Sequence, residues 1–383
     1  MASLWPYIPV GDVVEVLEWL TDVIRTQSAE QRIALRDRPR RRWQFGHVFS
    51  HDQHAGARSL VRAADGFLVP DWSRLVYGGP VAAGANVVLT CTTTGLDIEA
   101  GGQVAVIADA WNYEVCTLAA VAAGSITLAS VTSARASAAV YPLDAAHLGA
   151  ALATRRPAGR HIFADIAFDA AGVVDCAASA MPAYRGHDLL TDIPVVGAGA
   201  LEEGIAWPSD LVDNAVGAPV AFARRSLPDD RMMMRWHVFS AADKRALRQW
   251  LHSRRGRLAA FWRSTLARDL TAAAGIDAAA TALTVYAPEG SQTLGETAFD
   301  LEINGLALYR RRVTGVAVAS PVNGRPALTL TLDSALGATH TAGQLGRISF
   351  LRCLRLDSDR IELHYSPGAG MVVAAPCIEV PLP

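Results

Sequence analysis

His51, Asp52 and His54 are the densest set of metal-competent side chains in the sequence. Two histidines three residues apart on a helix, with a carboxylate between them, could grip a divalent ion. The matching segment later in the chain holds Ala241, Ala242 and Lys244 instead, so the set reads as a solvated first helical turn, where Asp and His commonly sit. Carboxylates are paired at Glu202-Glu203, at Asp229-Asp230 and at Asp357 with Asp359. Glycosidic acid–base work needs two carboxylates facing each other across a cleft, which adjacency in sequence does not supply, and these pairs read as solvated loops. There is no G-x-S-x-G elbow, phosphate-binding glycine loop or dinucleotide fingerprint. The expectation is a non-enzymatic protein with no catalytic residue, metal or cofactor.

Two basic runs carry the remaining chemistry. Arg36, Arg38, Arg40, Arg41 and Arg42 lie within seven residues, and Arg310, Arg311 and Arg312 are consecutive. Such arginines could line a channel and touch passing DNA through weak, salt-dependent phosphate contacts. They could also pair with the carboxylates of a neighbouring subunit, the reading preferred here because the net charge is −2 and no aromatics are interleaved for base stacking. Asp109, Trp111, Asn112 and Tyr113 form the one local cluster resembling a sugar platform, an aromatic flanked by polar groups. A role in packing a hairpin or interface is the simpler reading, since the comparable later turn carries Leu306 and Tyr309. Met232-Met233-Met234 with Trp236 reads as core or subunit contact.

The elements that would position these residues come in two copies. His47-Val48-Phe49-Ser50 returns 190 residues later as His237-Val238-Phe239-Ser240, and at the same offset Gly66 meets Gly256, Leu68 meets Leu258 and Trp72 meets Trp262. Ser50 with Gln53, and Ser240 with Asp243, are capping-box spacings that start a helix. Leu247, Trp250 and Leu251 give the second helix an apolar stripe, with Arg245, Arg248 and Arg254 elsewhere on the wheel; Ala57, Leu60 and Val61 are the first-copy equivalents. Gly66 and Gly256 stand where left-handed caps would end both helices.

Short strands follow in each half, near 87–93, 103–108, 114–121 and 125–131, then near 283–286, 298–303, 309–319 and 327–332. Asn304-Gly305 and Asn323-Gly324 are type I′ hairpin signals. The fold class is therefore mainly β with short α-helices (α+β): two tandem copies of a strand-helix unit plus a small antiparallel β-barrel or sandwich. The first copy is placed at 1–190, with its strand-helix unit at about 1–80 and its barrel at about 81–190. The second is placed at 191–383, with the unit at 191–272, the barrel at 273–365 and an arm at 366–383. Residues 193–195 echo Ile8-Pro9-Val10, and 196–204 reads as a flexible opening to the second copy.

Composition bounds the class. An apolar share of 51% across 383 residues supports real cores, and 19% charged residues with a near-neutral balance exclude a wholesale polyanion binder. The five cysteines, Cys91, Cys116, Cys176, Cys353 and Cys377, are scattered and odd in number, so they read as reduced core residues. The N-terminus lacks the pattern of a secretory signal, and no segment has the roughly 18 unbroken apolar residues of a membrane span, so a soluble, unexported chain is expected.

The Arg/Pro-rich strand with Trp43, the capped helix closing on G-x-L-x-x-x-W, the run of short strands and the linker Tyr184-Arg185-Gly186-His187-Asp188-Leu189-Leu190-Thr191 together resemble tail-tip and baseplate proteins of siphophages and gene-transfer particles. Distal tail proteins and tail hubs are the nearest types. That resemblance implies a virion-tail protein assembled in the bacterial host cytoplasm, a homo-oligomeric ring of trimeric or hexameric order, and tail-tube, hub and fibre proteins as partners. The alternative from another class is a tail-associated carbohydrate-binding or cell-wall-degrading protein.

Overall fold

Period-two alternation of apolar and polar residues governs most of the chain, and the secondary structure follows it: 54% of the described residues are in strands and 8% in two short helices. The structure, a computed structural model, describes residues 2–26, 29–157, 159, 161–172, 179–191, 202–224, 228–291, 293–368 and 370–381. Cys176, the 193–195 echo and most of the expected flexible opening, 196–201, lie outside the described residues.

The first copy runs β1 (Ser3–Leu4), β2 (Val13–Glu18), β3 (Thr21–Arg25), β4 (Glu30–Ala34), β5 (Arg40–Phe49), α1 (His51–Ala63) and β6 (Phe67–Pro70). It continues with β7 (Tyr77–Val81), β8 (Gly84–Thr90), β9 (Gln103–Ile107), β10 (Tyr113–Ala122), β11 (Ser125–Val131), β12 (Arg135–Leu148), β13 (Ala153–Arg155) and β14 (Ile162–Ala170). The second copy starts ahead of the expected residue 191, because β16 pairs with β21 as β1 does with β6; it runs β15 (Ala183–Tyr184), β16 (His187–Leu190), β17 (Glu202–Ala206), β18 (Ser209–Val212), β19 (Val220–Ala223), β20 (Asp229–Val238), α2 (Ala241–Arg254) and β21 (Phe261–Ser264). It closes with β22 (Ala282–Tyr286), β23 (Phe299–Asn304), β24 (Leu308–Val322), β25 (Arg325–Leu332), β26 (Arg347–Leu356), β27 (Arg360–Ser366) and β28 (Gly370–Glu379).

The pairing pattern is the same in both copies. β1 lies parallel to β6, as β16 does to β21. β2 pairs antiparallel with β5, as β17 does with β20. A hairpin follows each of these strands, β3–β4 after β2 and β18–β19 after β17. Each helix starts on its expected serine. Ser50 Oγ accepts from Gln53 N at 3.2 Å and Gln53 Oε1 accepts from Ser50 N at 3.0 Å, a complete capping box. At Ser240, Oγ accepts from Asp243 N at 3.0 Å and donates to the Asp243 carboxylate at 2.6 Å, so the Asp side chain turns to the hydroxyl.

The helix ends differ from expectation. α2 closes on Arg255 (φ 50°) and Gly256 (φ 63°), the left-handed exit that glycine favours, whereas α1 leaves through Ala64 in extended geometry and Gly66 has no positive φ. The longer exit of α2 shifts the register by four residues. Phe261 of β21 is thus the counterpart of Phe67 of β6, and the Trp72–Trp262 match is not structural: Trp262 is a buried strand residue, while Trp72 sits in the turn after β6.

Downstream, one ladder runs β8–β11–β10–β9–β12–β7 around Val104, Val106, Ile126, Leu128 and Val140. The other runs β22–β25–β24–β23–β26 around Leu283, Val285, Leu301, Ile303, Leu330 and Ile348. Neither closes into the barrel expected from sequence. β7 and β8 share no described ladder, and among the described residues the ends of the second are linked through the isolated bridges Leu270–Ile348 and Ala272–Val285 rather than a continuous ladder. Asn323 (φ 50°) and Gly324 (φ 75°) make the left-handed pair that a type I′ turn requires. Asn304-Gly305 does not; β23 and β24 are joined there by a three-residue loop.

The compact units do not break at residue 190. One comprises 1–180, 194–259 and 356–377, and the other 181–193, 260–355 and 378–383. The reason is the pairing of β2 with β27, which draws the strand-helix layer of the second copy into the unit holding the first. The expected C-terminal arm is β28, hydrogen-bonded to β27, with Met371, Val373, Ala375 and Cys377 buried. Among the described residues Cys91, Cys116, Cys353 and Cys377 form no disulfide with one another, and all but Cys91 are buried.

Candidate assembly interface

The first unit contains an eight-stranded sheet in the order β13–β14–β5–β2–β27–β28–β20–β17. It consists of two sets of four strands laid side by side, each set from one copy and each in the same order. At the junction β2 lies antiparallel to β27, from Val13 opposite Tyr365 to Glu18 opposite Arg360.

A buried charge cluster lies beneath this junction. Glu15 of β2 accepts from Arg41 Nε at 2.6 Å, from Arg248 Nη2 of α2 at 2.8 Å and from the Tyr365 hydroxyl at 2.8 Å. Arg41 reaches on to Asp71 at 3.0 Å and Asp144 at 2.8 Å, lies 4.3 Å from the Trp43 ring centroid, and Arg74 Nε donates to Asp71 at 2.6 Å. Three carboxylates thus meet three guanidiniums. Burial alone would push the Glu15 carboxyl up, but Arg248 and Arg41 hold it below its ordinary range. Asp71 is likewise held down, against its burial, by Arg74, Arg41 and Arg248. Burial and the Glu15 charge push the Tyr365 hydroxyl far up, so it stays a proton donor.

The hairpin of the first copy clasps the second. Trp19 N donates to Asp359 O and Thr21 N to Asp359 Oδ2, both at 2.8 Å; Arg257 Nη2 donates to Thr21 O at 2.7 Å. Arg25 stands 3.6 Å from Asp229, and the Trp19 ring meets His252 edge-on at 5.7 Å. Asp229, Asp357 and Asp359, read from sequence as solvated loop residues, instead hold arginines: Asp229 and Asp357 face Arg25 and Arg231, and Asp359 faces Arg257.

The basic runs divide. Arg41 is buried in its own chain, which corrects its assignment to a subunit or channel face. Arg36 donates to Glu18 O at 2.8 Å, Arg42 grips Asp169 at 2.6 and 3.2 Å, Arg310 reaches Glu302 at 3.2 Å, and Arg311 donates to Ser334 O and Ala335 O at 3.1 and 2.7 Å. Arg312 is half-buried, its backbone N donating to Asp333 Oδ1 at 3.1 Å. Arg38 and Arg40 are exposed, and Arg40, Arg42 and Arg360 border a cleft of about 270 Å³. Arg248 and Arg254, placed on the polar side of α2, are buried.

Asp109 Oδ1 accepts from the backbone N of Trp111 and of Asn112, both at 2.8 Å, an Asx turn that fixes Trp111 outward at 78% exposure. Asn112 Oδ1 accepts from Arg135 Nε at 3.1 Å, and the exposed Tyr113 begins β10. His54 is buried against Arg156, 3.3 Å away, and among the described residues no three potential ligands gather to hold a metal. Met232, Met234 and Trp236 are core, with Trp236 against Trp250 at 5.5 Å.

A single offset of 190 misses one repeat. Glu15-x-Leu17-x-Trp19-x-Thr21-Asp22-Val23-Ile24 returns 188 residues on as Glu203-x-Ile205-x-Trp207-x-Ser209-Asp210-Leu211-Val212. The faces agree, although the register is one residue out of step with the 190 offset: Glu15 stands opposite Trp43 on the buried side of β5, and Glu203 opposite Met232 on the buried side of β20, the side that Met234 and Trp236 share and that meets Trp250 of α2. Their surroundings differ. Leu17 and Trp19 are 0% and 1% exposed; Ile205 and Trp207 are 71% and 57% exposed. Comparison with known protein families and with curated proteins finds no match for this chain.

Proposed function

We propose that the chain is a structural component of a bacteriophage tail tip or baseplate, forming a ring at the distal end of the tail tube and connecting it to hub or fibre proteins. The observation that carries this reading is the tandem sheet. Two four-strand sets sit edge to edge, so the chain already contains one repeat of a lateral contact that further copies can extend. Among the described residues no strand pairs with the outer edge of β17 or of β13, and open edges of this kind invite strand addition. Three chains would present six such sets and six chains twelve, so trimeric and hexameric rings are both compatible with the repeat.

Negative-stain images and solution mass of the purified chain test the ring, and antibody labelling of particles tests its place. Annular particles of three-fold or six-fold symmetry, with label at the tail end, are expected. A chain that stays monomeric at every soluble concentration, or label elsewhere on the particle, would overturn the proposal.

The exposed Trp111, carried on an Asx turn, favours a second role within the same assembly, a sugar-facing platform. Replacing Trp111 with alanine is expected to leave thermal stability within about 0.5 kcal/mol, as for other exposed sites. Host adsorption of particles carrying the variant then decides: lost adsorption with intact assembly supports the platform, and unchanged adsorption removes it.

A further inference from the structure

The geometry points to a head-to-tail docking surface for a second copy of this chain: Glu203, Ile205 and Trp207 of one chain seat against α1 of the next, where Arg58 and Arg62 receive them. This rests on the ring reading and names the contact that would build it.

The junction already inside the chain is the template for this contact. There, the second strand of the first copy meets the helix of the second: Glu15 takes Arg248, Leu17 is sealed, and Trp19 is covered by His252 and by Gly256, where an added Cβ would lie 3.1 Å from the Trp19 Cβ. Glu203, Ile205 and Trp207 repeat those three residues at the other end of the sheet, exposed and, among the described residues, with no helix over them. Among the described residues the helix that lacks such a strand is α1. Counting from the two N-caps, Arg58 is the counterpart of Arg248 and Arg62 that of His252, and both are exposed. Among the described residues Arg58 has no carboxylate partner.

Each chain thus carries one filled contact, one empty strand and one empty helix, and the two empty halves match in charge and shape. Glu203 would receive the neighbour's Arg58, and the Trp207 ring would lie under Arg62, an arginine-on-indole contact in place of the His252 edge contact. The hairpin agrees. β3–β4 has a sealed first residue and a partner beneath it, whereas every residue of β18 and β19 is exposed, including Leu211, Val220 and Phe222. An isolated two-stranded hairpin is at best marginally stable in water, so this one is built to lie on something. Extending the sheet by the same rule sets the β17 edge beside residues 150–155 of the next chain. A head-to-tail contact of this kind is heterologous and closes into a ring when its rotation divides a full turn.

The test is charge reversal with rescue, read by sedimentation of the full chain. Glu203→Arg and Arg58→Glu should each weaken self-association about a hundredfold, since like charges are forced together across an interface, and the double variant should recover most of the loss. Trp207→Ala should weaken it at least about thirtyfold, as a buried aromatic anchor does, with no change in circular dichroism or melting temperature. Trp19→Ala, which opens the intramolecular contact, should lower the melting temperature instead. A wild-type chain that forms multimers indifferent to all three interface variants overturns this docking surface and leaves the ring standing. Reversals that weaken association without rescue overturn the Glu203–Arg58 pairing. A wild-type chain that never associates overturns the ring and the surface together.

Discussion

Replacing Glu15 with alanine should destabilise the chain by about 3–5 kcal/mol, the cost of leaving buried guanidiniums without their counter-charge. The loss is large because Glu15 serves three donors at once. Arg41, Arg248 and Tyr365 come from a first-copy strand, the second-copy helix and the second-copy strand β27, and all converge on its two oxygens. With the carboxylate gone, Asp71 and Asp144 still hold Arg41, but Arg248 loses the carboxylate it is paired with, and among the described residues no second one stands within ion-pair distance of it. Denaturant unfolding measures the effect. Glu15→Gln should retain part of the stability through its amide oxygen, while a loss below about 1 kcal/mol for Glu15→Ala would mean that apolar packing, and not the ion cluster, welds the copies.

Much of the secondary structure was legible because it depends on local rules. β11 spans the expected 125–131, and β9, β22 and β23 fall within a residue of their expected limits, since each is a short apolar alternation bounded by turn residues. Ser50 and Ser240 announced both helices through spacing alone. What the local pattern did not carry was partnership. Nothing in Val13–Glu18 indicates that its edge will meet Arg360–Ser366, nearly the whole chain away, and that one pairing turns two sequential halves into interleaved units. Arg248 illustrates the same gap: on a helical wheel it looks solvated, and only Glu15 makes its burial sensible.

The interface residues were within reach of the sequence but hidden by gaps. The repeat offset is 188 at Glu15 and Trp19, 190 at the helix caps and 194 at Phe67, so one ungapped alignment finds the middle block and misses both flanks. Aligning the blocks separately brings Trp19 onto Trp207. Exposure then separates the two, because a duplicated apolar residue that is sealed in one copy and bare in the other marks the place where the second copy lacks its neighbour.

Acidification should expose a second weakness, at His47. Its ring lies among Trp5, Tyr7, Phe45 and Phe49, stacked on Phe49 at 4.9 Å. Nε2 accepts from Trp5 Nε1 at 3.1 Å, which leaves the proton on Nδ1 to donate to Ile8 O, also at 3.1 Å. Both nitrogens are satisfied only by the neutral ring. Burial drives the pKa down to about 4 from an ordinary 6.5, although the Ile8 carbonyl and Asp165 favour the charged form. Between those values the unfolded chain binds a proton that the folded chain refuses, so stability is whole above pH 6.5 and falls as pH drops towards 4, by about 3 kcal/mol in all. The lowered carboxyls of Glu15 and Asp71 act in the same direction at lower pH, their contribution being present above the ordinary carboxylate range and lost on descending through it. His47→Gln keeps an acceptor for Trp5 and removes the titration. Unfolding free energies measured across that window should slope for the wild type and run nearly flat for the variant; parallel slopes would assign the acid sensitivity to another group.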